Sequence, residues 1–89
     1  TELSDAVDVT SLQFRRTSSD YFIDWHTAPR KQYVITLSGT SEVEIGDGTT
    51  IQLHPGHILL AEDVTGQGHI SRAVGSADRI SLFIPLAVQ

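Results

Sequence analysis

The chain has 89 residues, enough for one small domain, since independent domains usually need about 100 to 150 residues each. Six Lys and Arg residues against eleven Asp and Glu residues give a formal charge of −5, which repels phosphate backbones and anionic lipids, so neither nucleic acid nor a membrane is expected as a partner. The absence of Cys excludes disulfides, thiolate metal sites and thiol nucleophiles.

A domain of this size buries a limited core, and a second copy of the chain would extend it, so we expect a homodimer. The longest apolar run covers residues 58–61, far shorter than a membrane span of about 20 residues or a signal-peptide core of about 7 to 15. We therefore expect a cytoplasmic protein. The sequence contains no Met, and we expect further residues upstream of Thr1.

Short apolar runs separated by turn residues fill the chain from residue 12 onward, without the i, i+3, i+4, i+7 spacing of an amphipathic helix. This pattern predicts eight strands, at residues 12–16, 21–26, 32–38, 41–45, 50–53, 58–61, 69–73 and 79–84. The sequence Gly46-Asp47-Gly48 favours a tight hairpin between the fourth and fifth strands. Residues 1–9 are compatible with either a helical stripe or an extended arm, so no element is predicted there.

Eight short strands with frequent turns are typical of an all-β antiparallel sandwich or barrel, and a jelly-roll barrel fits the count. We expect one domain, with an N-terminal arm at residues 1–11, the barrel at 12–86 and a short tail at 87–89. Glu42 and Glu44 share one strand face, which we expect to point toward water.

Two segments resemble the conserved motifs of the cupin superfamily. Residues 25–39, read as Trp-His-Thr-Ala-Pro-Arg-Lys-Gln followed by Tyr-Val-Ile-Thr-Leu-Ser-Gly, are similar to the first motif, His-x-His, three or four residues, Glu, six residues, Gly. Residues 55–61, Pro-Gly-His-Ile-Leu-Leu-Ala, and the following Gly-Gln-Gly-His at 66–69 are similar to the second. The closer resemblance is to small single-domain bacterial cupins of uncharacterised function, and it implies a cupin-type jelly-roll β-barrel.

The four metal-ligand positions of the cupin motifs fall here on His26, Ala28, Gln32 and His69. One ligand is missing and one is a neutral amide. The resemblance therefore implies at most one weakly bound divalent ion, Zn, Fe, Ni or Mn, held by His26, Gln32 and His69. Imidazole suits all of these metals, and an amide oxygen is a weaker ligand.

Strand alternation predicts a cup in which His26 points inward together with Asp24 and Phe22. Asp24 could complete a set of two histidines and one carboxylate, or it could accept a hydrogen bond from His26 and fix its tautomer. A third reading is an exposed position or a bond to a neighbouring loop. Gln32, Val34 and Thr36 would line the same interior from the next strand.

Arg30 lies in the turn beside the expected mouth of the cup. Its guanidinium could pair with the carboxylate or phosphate of a small anionic ligand. The alternatives are a solvated turn charge or an ion pair with Glu62 or Asp63.

These observations support three hypotheses. The leading one is a small-molecule-binding barrel with a degenerate or absent metal centre, which binds a small polar or anionic molecule through Asp24, Arg30 and Thr36 beside the three possible metal ligands. The second is a metal-dependent cupin enzyme of oxygenase or isomerase type. The third is a dimeric scaffold without a ligand, expected if Phe22, Val34 and Phe83 fill the interior. Whether the protein is an enzyme stays open at this point.

Overall fold

The computed structural model describes all residues from 1 to 89 and consists of eight β-strands without a helix. The strands are β1 (Gln13–Thr17), β2 (Phe22–His26), β3 (Gln32–Ser38), β4 (Thr40–Glu44), β5 (Thr50–Leu53), β6 (Ile58–Ala61), β7 (His69–Val74) and β8 (Arg79–Pro85). Every predicted strand is present, and no strand end differs from its predicted position by more than one residue. The structure contains no helix that could cross a membrane.

The strands form two four-stranded sheets with the orders β1-β8-β3-β6 and β2-β7-β4-β5, and all neighbours are antiparallel. We call them the first and second sheets. Apart from the β4–β5 hairpin, each strand is followed by a strand of the opposite sheet. These orders are those of an eight-stranded jelly roll, which confirms the predicted all-β fold class. Strand pairing does not join the two sheets into a closed barrel.

Side-chain alternation separates an inner face from an outer face in each sheet. In β3, Gln32, Val34 and Thr36 are buried, whereas the intervening Tyr33 and Ile35 are only half-buried. The same period of two places Val43 inside β4. Successive strand residues point to opposite faces, so these inward residues of both sheets form a shared interior.

A β-bulge in β2 changes which of its residues face that interior. Ile23 lies opposite Ser71 and His26 lies opposite His69, so three steps along β2 match two steps along β7. An extra residue of this kind bends the strand and shifts the alternation of its side chains. The inward position of His26 therefore does not carry over to the residues two and four positions before it.

Phe22 shows the consequence. It lies opposite Arg72, on the outer face of the second sheet, and is 55% exposed. The expectation that Phe22 points into the cup is therefore wrong, because alternation was counted through the bulge as if the strand were regular. Tyr21, one residue earlier, takes the inward position instead.

The N-terminal segment contains no helix. Val9 forms an isolated bridge with Leu86, and the Thr10 N–H donates to the Pro85 carbonyl at 3.0 Å. Residues 8–10 thus run beside residues 85–87 at the end of the chain, while Leu3 is 89% exposed.

Candidate ligand-binding site

A cavity of about 110 Å³ lies between the two sheets and is lined by 17 residues, of which nine are hydrophobic. We call it the central cavity. Its polar lining residues are Thr17, Tyr21, His26, Gln32, Ser41, His69, Ser71 and Arg79. Apolar walls with a few converging polar groups are the usual composition of a small-molecule site.

Two histidines from neighbouring strands meet in the wall of this cavity. His26 and His69 are partners in the β2–β7 register, and their ring centroids are 4.3 Å apart with an angle of 56° between the planes. Gly68 makes this approach possible. It has a φ of +74°, and a Cβ added there would overlap the His26 carbonyl group. Only glycine adopts this conformation and approach without strain.

Hydrogen bonds fix the orientation of both rings. His26 Nδ1 lies 2.8 Å from the Asp24 carbonyl oxygen, which can only accept, so Nδ1 carries the hydrogen in the neutral ring. His69 Nδ1 bonds the Asp63 carboxylate, and the His69 side chain is 13% exposed. Both Nε2 atoms are then free to accept a hydrogen bond or to bind an electrophile.

Gln32 completes the group that the sequence predicted. It is 7% exposed and lines the same cavity from the first sheet, where it lies opposite Ala61 of β6. The structure thus brings His26, Gln32 and His69 to one enclosed space, although their roles there stay predictions.

This donor set does not fit a tightly held metal ion. No group of three or more His, Asp and Glu side chains is placed to bind a metal. The carboxylate nearest to the two imidazoles, that of Asp63, already accepts a hydrogen bond from His69. Two imidazoles and one amide oxygen lack the anionic or third imidazole ligand that strong divalent sites use.

Three other predicted site residues lie elsewhere. Asp24 is exposed, and its Oδ1 accepts a hydrogen bond from the Trp25 N–H at 2.9 Å, so its backbone carbonyl rather than its carboxylate supports His26. Arg30 is exposed, forms no salt bridge and does not line the cavity. Thr36 is 1% exposed but lies behind the lining, where its Oγ1 accepts from Arg79.

Sequence reasoning missed Arg79, the cation that does line the cavity. It is 9% exposed, and its Nη2 donates to Thr36 Oγ1 at 2.8 Å. Burial lowers the pKa of Arg79; Tyr21 acts against this shift, and repulsion from Arg15 adds to it. The sequence did contain a signal for this position. Arg79 stands two residues before Ser81 and four before Phe83, which both face the interior, so strand alternation places all three residues on the same face.

A second, more open space of about 380 Å³ runs along the seam between β5 and β6. It shares Val43, Leu59, Ala61 and His69 with the central cavity. Asp63 and His69 both line this open space, so the seam gives a path from solvent to the His69 side chain.

No family model and no curated protein matches the chain. Solved structures do match its fold. A conserved protein of unknown function from Streptococcus pyogenes aligns with a TM-score of 0.64 and 23% identity, over 88% of this chain. The chain spans only 65% of that protein's length. A protein from Neisseria meningitidis aligns with a TM-score of 0.65 and 15% identity, over 98% of this chain and 89% of its own.

A third solved structure decides the type of fold. A cupin-2 domain containing protein from Shewanella frigidimarina aligns with a TM-score of 0.61 and 19% identity, over 97% of this chain and 84% of its own. The fold is that of a small cupin. At these identities the likeness concerns the cupin fold alone, and one fold carries many functions. The function of this domain must therefore be argued from its cavity.

Proposed function

We propose that the protein is a small-molecule-binding cupin domain whose central cavity takes a small polar or anionic molecule. The observation that carries the proposal is the convergence of His26, Gln32 and His69 on one enclosed, largely apolar space. Both imidazoles present a free Nε2 to a guest, because their Nδ1 atoms are already bonded. A polar guest would satisfy these atoms where the apolar walls cannot.

The size of the cavity limits the guest. Pockets for drug-sized ligands usually measure about 300 to 1,000 Å³. The central cavity has about 110 Å³, so the guest has few heavy atoms unless it extends into the seam.

The geometry argues against the scaffold without a ligand. That hypothesis needs Phe22, Val34 and Phe83 to fill the interior. Val34 and Phe83 instead form part of the cavity wall, and Phe22 lies on the outside. Space for a guest remains between the sheets.

The proposal is tested with a cavity-filling variant and its matched control. Ala73 lines the cavity, whereas Ala77 is exposed in the turn before β8, so Ala73→Leu and Ala77→Leu make the same chemical change inside and outside the site. We expect molecules of four to eight heavy atoms, neutral and anionic, to shift the amide NMR signals of cavity residues at millimolar concentration. Ala73→Leu removes these shifts and Ala77→Leu retains them.

Two results contradict the proposal. One is a panel in which no compound shifts the signals of cavity residues in the wild-type protein. The other is binding that survives in Ala73→Leu, because the guest would then lie outside the central cavity.

The metal-dependent enzyme is the competing hypothesis, and the two adjacent imidazoles are the feature that favours it. The weak donor set predicts far less than one equivalent of Zn, Fe, Ni or Mn per chain in protein purified without chelators. Metal analysis measures this directly. About one equivalent per chain, lost in the His26→Ala and His69→Ala double variant, would replace our proposal with a metal-dependent oxygenase or isomerase.

A further inference from the structure

Arg79 is the first residue of β8 and points into the central cavity from the first sheet. Its backbone position is fixed by Gly39, which has a φ of +75°. A Cβ added to Gly39 would lie 2.8 Å from the Arg79 Cα and 2.6 Å from the Asp78 carbonyl oxygen. The start of β8 is thus held by close backbone packing, and the hydrogen bond to Thr36 orients the guanidinium.

No carboxylate of the chain neutralises this buried cation. The side chain of the adjacent Asp78 bonds Arg16 instead, with its Oδ2 3.1 Å from the Arg16 Nη2. The remaining salt bridges join His69 to Asp63 and Arg72 to two glutamates. Arg79 has no acidic partner within salt-bridge distance, although it is nine-tenths buried.

The hydrogen-bonding capacity of the guanidinium is also unfilled. Arg79 Nη2 bonds Thr36 Oγ1, but its Nε has no partner. The neighbouring Ser81 Oγ, fully buried, is unpartnered as well. A buried charge without a counter-ion is strongly unfavourable, and buried donors without acceptors add to that penalty.

Within the cavity, the Arg79 guanidinium and the histidine pair lie at different ends. His69 begins β7 and Ala73 lies four residues later, about 13 Å along the strand. The Ala73 N–H donates to the Tyr21 carbonyl at 2.9 Å, so Tyr21 lies at the Ala73 end. Arg79 lies opposite Thr17, the last residue of β1, and the turn from Thr17 to Tyr21 is closed by a hydrogen bond from the Tyr21 N–H to the Ser18 carbonyl, so Arg79 lies at that end too.

From this arrangement we propose that Arg79 binds the carboxylate of a small organic acid in the central cavity. The proposal rests on the proposed function and assigns the chemical class of the guest. A planar carboxylate matches the guanidinium fork through two parallel hydrogen bonds. Arg79 is the only Arg or Lys in the lining, so the site neutralises one negative charge rather than the two of a phosphate dianion.

The histidine end adds a second requirement. A guest long enough to span the cavity carries its carboxylate at Arg79 and a hydrogen-bond donor, such as a hydroxyl, at the two imidazoles. A hydroxy acid has this pattern. The free Nε2 atom of either His26 or His69 accepts the hydrogen bond that the hydroxyl of such a molecule donates.

The test compares two probes of the same size, propanoate and propanamide, by NMR titration of the whole chain. The expected wild-type result is at least tenfold tighter binding of propanoate. Arg79→Gln removes this preference while leaving propanamide binding within about twofold. Arg79→Lys retains the charge without the planar guanidinium and gives an intermediate preference for propanoate over propanamide. Arg30→Gln, which removes an exposed arginine that forms no salt bridge and does not line the cavity, leaves both affinities unchanged and serves as the control.

The outcomes separate the two proposals. Propanamide and propanoate binding equally well in the cavity of the wild-type protein overturns the role of Arg79 but leaves the proposed function standing. An undiminished propanoate preference in a folded Arg79→Gln also overturns that role. Failure of both probes and of the wider panel to bind in the cavity overturns both proposals. Should Arg79→Gln not fold, the propanoate preference of Arg79→Lys against wild type decides the matter.

Discussion

Arg72 joins two carboxylates on the outer face of the second sheet. Its Nη2 lies 2.8 Å from Glu42 Oε1 and 2.8 Å from Glu44 Oε1. Sequence alternation predicted correctly that the two glutamates share an outward face. It could not supply their partner, because Arg72 lies 30 positions after Glu42 and the pairing of β7 with β4 is not encoded in the local pattern.

This cluster makes stability depend on pH. A hydrogen bond from Arg72 lowers the pKa of Glu42 below its ordinary 4.5, against a smaller opposing effect of burial, and a bond from Gln52 adds to it. A lowered folded-state pKa gives stability that is present above the ordinary pKa and is lost as pH falls through the lowered value. Glu42→Gln should therefore unfold more easily than wild type at pH 7, and the difference should shrink below about pH 4.5.

Thermal unfolding from pH 7 to pH 3 checks this expectation. Glu62→Gln, an exposed glutamate without a salt bridge, is the control and should track the wild-type curve. A constant difference between Glu42→Gln and wild type across the whole range would contradict the assignment.

Among the elements, the β2–β7 pair determines the site, because its register sets the two imidazoles side by side. Two local irregularities make this possible, the bulge before His26 and the close backbone contact at Gly68. The bulge lies within β2, and Gly68 directly precedes β7. A regular ladder with a larger residue at position 68 would hold the two strands further apart at this point.

Gly68→Ala tests the importance of that contact. A Cβ there would meet the His26 carbonyl and would also occupy a φ of +74°, so we expect a loss of about 2 kcal/mol or more in the free energy of unfolding. Gly66→Ala is the matched control, because φ is +79° and no atom lies within 4 Å of the added Cβ. It should lose only the conformational term of about 1 kcal/mol.

Urea unfolding measures both values, and histidine ring signals report the pair itself. Gly68→Ala should shift the ring signals of His26 and His69, whereas Gly66→Ala should not. Equal losses of stability in the two variants would show that backbone conformation alone matters at position 68.

The strands were predictable because turn residues bound every apolar run, and each strand was found within one residue of its predicted ends. The faces were predictable only where the ladder is regular. Gln32 and Thr36 lie inside as expected, but Phe22 does not, because no sequence signal marked the bulge. Arg79 was missed since a charged residue at a strand end usually faces water, and its inward position depends on non-local contacts with Gly39 and Thr36.

At the scale of the whole molecule, the two sheets present very different outer faces. The second sheet exposes the glutamate–arginine cluster. The first sheet carries apolar side chains on all four strands, and its outward residues include Phe14, Tyr33, Ile35, Ile58, Leu60, Ile80, Leu82 and Ile84. Phe14 is 73% exposed and Ile58 is 64% exposed. Apolar faces of this extent on a small domain usually mark an interaction surface.

We propose that a second copy of the chain covers this face, as expected for a domain with a small core. Four strands spaced about 4.8 Å apart and about five residues long give a face of roughly 19 by 17 Å. With a rim of surrounding loops, such a face suits the centre of a standard interface of about 800 Å² per partner. Pairing the apolar faces of two copies leaves the charged faces of both in water.

Sedimentation velocity tests this arrangement. The wild-type protein should sediment as a dimer of about 19 kDa, twice the chain mass of 9.7 kDa. Ile80→Lys places a charge on the apolar face and should give a monomer. Val64→Lys, at a similarly exposed apolar residue in the loop before β7, should remain dimeric. A wild-type monomer at all concentrations would contradict the dimer.

The wall of the central cavity is made largely by residues of the strands themselves, and three of its members are alanines, at positions 28, 61 and 73. Each alanine is a place where one larger side chain would reduce the internal volume without altering a backbone hydrogen bond. Substitutions at these positions would therefore change which guests fit the cavity, while the hydrogen-bonded strands around it stay the same.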